Sequence, residues 1–200
     1  MILTMSMPVM EKIREFLFNP SHAFRRIRNE EPGEAFRYLV ILTVFSAVMA
    51  TVMTALEIFH HPLTGISSSQ GSTAADPLLL VTEIIALVVI TLVTVVCFGL
   101  WLHVWVYLSG GRKGVWQTEK GVFYSFTPFL ILAWIPVIGI LVGTIWTVII
   151  TVIGIKELQR LSGIRAALSV ICAVIIAVFI AAFLLGAVFL AVISTLPITT

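Results

Sequence analysis

The chain has 200 residues, 60% of them hydrophobic and only 11% charged, with a formal net charge of +2. A mean hydropathy of +1.12 and so few charges exclude a soluble globular domain, in which roughly 25% of residues are charged. Apolar runs longer than the ~18 residues that mark a membrane span make it a single polytopic, all-α membrane domain. The residues after Met1 are soon interrupted by Pro8, Glu11, Lys12 and Arg14 and lack the apolar core and cleavage site of a signal peptide.

The first element, from Pro8 to Arg28, has the spacing of one or two short amphipathic helices. Val9, Ile13, Phe16 and Leu17 recur at helical intervals, and Asn19-Pro20 can end one helix and start the next. Ala23, Phe24 and Ile27 would face the bilayer. Lys12, Arg14, Arg25, Arg26 and Arg28 would meet anionic lipid headgroups, so residues 1–35 form an interfacial cytoplasmic lead-in. A plain solvated tail is the rival reading.

Residues 36–196 then hold the spans. The first runs from about Phe36 to Phe59 and is stopped by Pro62. Asp76-Pro77 opens the second with a side-chain cap and a proline. Continued to Leu108 it would reach ~46 Å, more than the ~30 Å hydrocarbon core, so it must tilt, kink or project. The stretch Gly121 to Ile155 is too long for one crossing, and both flanks, Lys120 and Lys156, are basic. Pro136 to Gly139 supplies the break, as two short full spans or as a re-entrant hairpin. The last span runs from Ile164 to Leu196. Its Ser169, Ala173, Ala177 and Ala181, its Ala182 and Gly186, and the pair Gly139 and Gly143 have the spacing that lets membrane helices approach closely. These faces serve either internal packing or a homo-oligomer.

Orientation follows from the basic residues. Lys12, Arg14, Arg25, Arg26, Arg28, Arg37, Arg112, Lys113, Lys120, Lys156, Arg160 and Arg165 all fall on one side of the ladder of spans. Basic residues flanking spans stay in the cytoplasm. The expectation is a five-helix transmembrane bundle with the N-terminus cytoplasmic and the C-terminus outside.

Few residues advertise chemistry. Glu57, His60, His61 and Asp76 gather at the outer surface and include zinc-type ligands, although two histidines beside Pro62 also suit an interfacial helix end. Glu83 is either an intramembrane carboxylate or a wet residue on a projecting helix. His103, between Trp101 and Trp105, reads as a boundary residue in an aromatic belt or as a proton carrier. Lys156, Glu157, Gln159 and Arg160 read as a solvated helix end. Cys97 and Cys172 lie within apolar segments without partners at useful spacing. No nucleophile motif, phosphate-binding glycine loop or paired catalytic carboxylates are present, so neither an enzymatic role nor a cofactor is expected. No nucleic-acid partner is expected either.

Phe123-Tyr124-Ser125-Phe126-Thr127-Pro128, then Trp134-Ile135-Pro136, Trp146 and Gly154-Ile155-Lys156-Glu157-Leu158-Gln159, followed by Arg165-Ala166, resemble the Yip1 domain family. Leu17-Phe18-Asn19-Pro20 and Phe24-Arg25-Arg26-Ile27 resemble the lead-in of its prokaryotic members. The resemblance implies a five-span protein with Tyr124, Pro128, Pro136, Trp146 and Gly154 as structural punctuation. Eukaryotic members associate with Rab-type GTPases and with one another through the early secretory pathway. This chain has a short basic lead-in where those members carry a long cytoplasmic region, so that partner is not carried over. The implied role is a non-enzymatic scaffold or adaptor in a prokaryotic plasma membrane. The rival is a small transporter or channel using Glu83, His103 and the proline-broken third and fourth spans.

Overall fold

A computed structural model describes residues 8–55 and 77–195, and those residues are helical throughout apart from their connections. The lead-in forms α1 (Val9–Phe18) and α2 (Pro20–Arg26), followed by a single 3-10 turn, Ile27–Asn29. Asn19-Pro20 separates the two helices as its sequence predicts, with proline at the first position of α2.

Among the described residues, four helices are long and apolar enough to cross a membrane: α3 (Pro32–Ala55), α4 (Pro77–Leu108), α7 (Ile138–Gln159) and α8 (Gly163–Thr195). Prolines open α3 and α4, where a missing N–H costs no helical bond. Between α4 and α7 lie α5 (Val115–Ser125) and α6 (Thr127–Leu132). Helix α5 starts six residues before the Gly121 expected as the head of this stretch, in the polar run Gln117 to Lys120.

The α5–α6 break has a local cause. Pro128 cannot donate to the Tyr124 carbonyl four residues back, and the Thr127 hydroxyl donates to that carbonyl instead, at 2.6 Å. The chain then reverses through Val137, whose φ of 58° and ψ of −67° place it in the rare positive-φ γ-turn. The Ile138 N–H donates to the Pro136 carbonyl across this turn at 2.6 Å.

Beyond the turn, α7 returns alongside α6 and α5 in register. Gly139 lies against Leu132, Gly143 against Pro128 and Phe129, and Gly154 and Leu158 against Gly121. Gly139 and Gly143 therefore serve internal packing, because a side chain at 139 would overlap the Leu132 carbonyl oxygen. On α8, Ser169 and Ala173 are buried against α4: Ser169 donates to the Ser109 hydroxyl at 2.8 Å, and the Trp101 indole donates to the Ala173 carbonyl at 3.0 Å. Ala181, Ala182 and Gly186 remain exposed on the C-terminal half of α8.

The lead-in turns its apolar face onto the bundle, not into the bilayer. Phe16, Ala23, Phe24 and Ile27 are buried, and the Phe24 ring sits on Gly154. Burying a phenylalanine is worth about 1.5–3 kcal/mol, so Phe16 and Phe24 contribute to holding the lead-in on the bundle.

Candidate functional site

Where the lead-in meets α5, the bundle is closed by a buried polar cluster. Lys12 is 3% exposed. Its ammonium pairs with Glu30 and donates to the Tyr124 hydroxyl at 3.1 Å. That hydroxyl in turn donates to the second oxygen of Glu30 at 2.5 Å. The Lys120 ammonium donates to the Arg28 and Glu30 carbonyls, each at 2.9 Å. The apolar walls are aromatic: Phe16 stacks on Tyr124 with ring centres 4.5 Å apart, and Tyr38 tilts against Tyr124 at 4.9 Å. Outside this core, Glu157 pairs with Arg25 at 3.7 Å and with Arg28 at 3.8 Å, and Arg28 also donates to the Glu157 carbonyl at 3.0 Å.

This geometry corrects part of the headgroup assignment. Lys12 and Arg28 reach inward because each has an acidic partner within the fold that a lipid phosphate would have to displace. Arg14, Arg25 and Arg26 remain exposed, although Arg26 is shared between Glu11 at 3.1 Å and Glu15 at 3.0 Å. Removing the Tyr124 hydroxyl with Tyr124→Phe is expected to cost about 1.5–3 kcal/mol, since one of its bonds is to a carboxylate and the other to an ammonium. Thermal unfolding of the purified protein checks this, and Tyr38→Phe, which loses only a bond to Thr127, should cost less.

A second network lies between α4, α5 and α7. Gln159 is 3% exposed, so it is not the solvated end that its neighbours suggest. Its amide donates to the Gly114 carbonyl and the Thr118 hydroxyl, both at 2.9 Å, and its oxygen accepts from the Lys113 N–H at 3.0 Å. Thr118 is also 2.8 Å from Nδ1 of His103. His103 is thus a tethered residue of the helix contact. One turn earlier on α4, Gly99 faces Glu119, a carboxylate 2% exposed with neither oxygen hydrogen-bonded among the described residues. Glu119 lies outside the four long helices, and burial pushes its pKa up to about 7.

Glu83 is 1% exposed and faces α3, where Thr54 approaches it at 3.4 Å. It is therefore a packed residue, not a wet one. Glu83 and His103 are twenty positions apart on one helix, a separation of about 30 Å. Glu57, His60, His61 and Asp76 lie outside the described residues. Of the family-motif positions, Tyr124 is central to the cluster, Pro128 sets the α5–α6 break, Pro136 precedes the turn and Gly154 receives Phe24, whereas Trp146 points outward at 44% exposure.

The Yip1 domain model matches residues 14–195, nearly the whole chain. The chain belongs to the Yip1 domain family. No curated protein and no solved structure gives a significant match. The span of the Yip1 match takes in the lead-in from Arg14 onward as well as the long helices. It includes Glu30, Glu119, Lys120 and Gln159, none of which the sequence singles out as site residues. The available signal was the direct abutment of Glu119-Lys120 on an apolar run.

Proposed function

We propose that this Yip1-domain membrane protein is a non-enzymatic scaffold or adaptor that works through its lead-in. The observation that supports this is the buried Lys12–Glu30–Tyr124 lock. It holds α1 and α2 on the bundle and with them a face carrying the exposed Arg14, Arg25 and Arg26, of which Arg25 is shared with Glu157 and Arg26 with Glu11 and Glu15. That face suits anionic headgroups or a protein partner at the cytoplasmic surface of a prokaryotic plasma membrane. The exposed Ala182 and Gly186 on the outer half of α8 suit contact with a second copy. Crosslinking in native membranes should give a reproducible partner or homo-oligomer. A strictly monomeric, partnerless protein would contradict the proposal.

The same reading includes five crossings. Helix α7 pairs with α5–α6 in register from Gly139 against Leu132 to Gly154 against Gly121, a paired length of about 24 Å. If α7 crosses, so does its partner, with the spanning part starting at Gly121 and Glu119 on the basic side. In a variant lacking Cys97 and Cys172, Val137→Cys should react with an impermeant thiol reagent only from outside and Arg14→Cys only from inside. A re-entrant hairpin would leave Val137→Cys unlabelled from outside.

A transporter is the second reading, and the observation in its favour is Glu83 buried in a span against Thr54, with the buried Thr51 hydroxyl one turn earlier on α3 having no partner among the described residues. Flux of protons, cations or small solutes in reconstituted liposomes, abolished by Glu83→Gln, would establish it. The separation of Glu83 from His103 favours the scaffold.

A further inference from the structure

We propose that Glu119 is a proton-binding site: its carboxyl group is held neutral between α5 and α4, and loss of the proton loosens that helix contact. Among the described residues its two oxygens are buried without a hydrogen-bond partner, and they occupy the space that a Cβ on Gly99 would take. An ionised carboxylate in such a place is costly unless paired.

The surrounding groups do not supply a countercharge. On α4, His103 is bonded through Nδ1 to Thr118. On α7, Lys156 is exposed and Glu157 is turned to Arg25 and Arg28. On α3, Glu34 and Arg37 face each other at 3.9 Å, and Tyr38 is bonded to Thr127. The adjacent Lys120 is directed to the Arg28 and Glu30 carbonyls. Among the described residues Glu119 has no ion pair, so protonation is what removes its charge in this buried position.

The sign follows from the raised pKa. The folded protein holds the proton more tightly than the unfolded chain, so this contribution to stability is complete below about 4.5. It is lost as pH rises to about 7, and the profile is level above that. The test uses the full chain in lipid nanodiscs, comparing its thermal midpoint across that window with Glu119→Gln. The two should agree at the acid end, and the native protein should fall several degrees below the variant at the alkaline end. Superimposable profiles would overturn the proposal, as would a glutamine variant that is less stable at every pH. Should Glu119→Gln fail to fold, infrared spectroscopy of a Glu83→Gln background, in which Glu119 is the remaining carboxyl buried without a charged partner among the described residues, decides the matter. A carboxylic-acid carbonyl band that persists midway through the window and vanishes above it supports the site. Ionisation complete near the ordinary carboxylate value contradicts it.

Discussion

Lys12→Met is expected to destabilise the protein by about 3–5 kcal/mol, the cost of leaving the other member of a buried ion pair without its partner. Glu30 would keep its bond from Tyr124 but lose the ammonium, and it is only 15% exposed. The native pair is not required to be strongly favourable for this to hold. Most of the loss comes from an uncompensated carboxylate, so Lys12→Met combined with Glu30→Gln should recover much of it. The readouts are the thermal midpoint and limited proteolysis of the lead-in, which should become susceptible in the single variant and less so in the double one. Arg14→Met, at an exposed position of the same helix, should change stability by less than about 0.5 kcal/mol.

Gly139→Ala is expected to be about as damaging for a different reason. A Cβ at this position would overlap the Leu132 carbonyl oxygen and lie 2.8 Å from the Ile135 Cβ. Backbone and a branched side chain cannot rotate away, so α6 and α7 must separate. Overpacking of this kind costs about 1–3 kcal/mol and more where the backbone is fixed. Folding yield and thermal midpoint should both fall. Gly163→Ala, at a glycine with open space around it, is the control and should be neutral or mildly stabilising.

The two variants probe what the sequence reveals unequally. Gly139 stands three residues after Pro136 and has a small partner, Gly143, four residues on, so a close helix approach there is legible from spacing alone. Lys12 is not legible in this way, because its partner hydroxyl at Tyr124 is 112 residues distant. A ladder of basic residues reports the side of the membrane on which each charge lies. It carries no information on whether a side chain points to lipid or back into the fold. The same blindness explains Phe24, read as a bilayer contact and found on Gly154, and Gln159, read as solvated and found buried.

Helix boundaries were legible where proline marks them, at Pro20 and Pro77. The start of α5 was not, because Gln117, Glu119 and Lys120 suggest a loop until their burial partners are supplied by α4 and the lead-in. The break at Phe126 was hidden for a related reason. Pro128 is compatible with either a kink or a helix start, and the choice depends on whether another group takes the freed Tyr124 carbonyl, here Thr127.

The central claim is that the lead-in is locked into the bundle through Lys12 and Tyr124. A double-mutant cycle of Lys12→Met and Tyr124→Phe, measured by unfolding in the same lipid, addresses it most directly. The lock predicts a coupling of about 0.5–3 kcal/mol between two residues so far apart in sequence, with the lead-in protected from protease only in the native protein. Effects that add to within about 0.3–0.5 kcal/mol, with the lead-in equally protected in all four proteins, would contradict it.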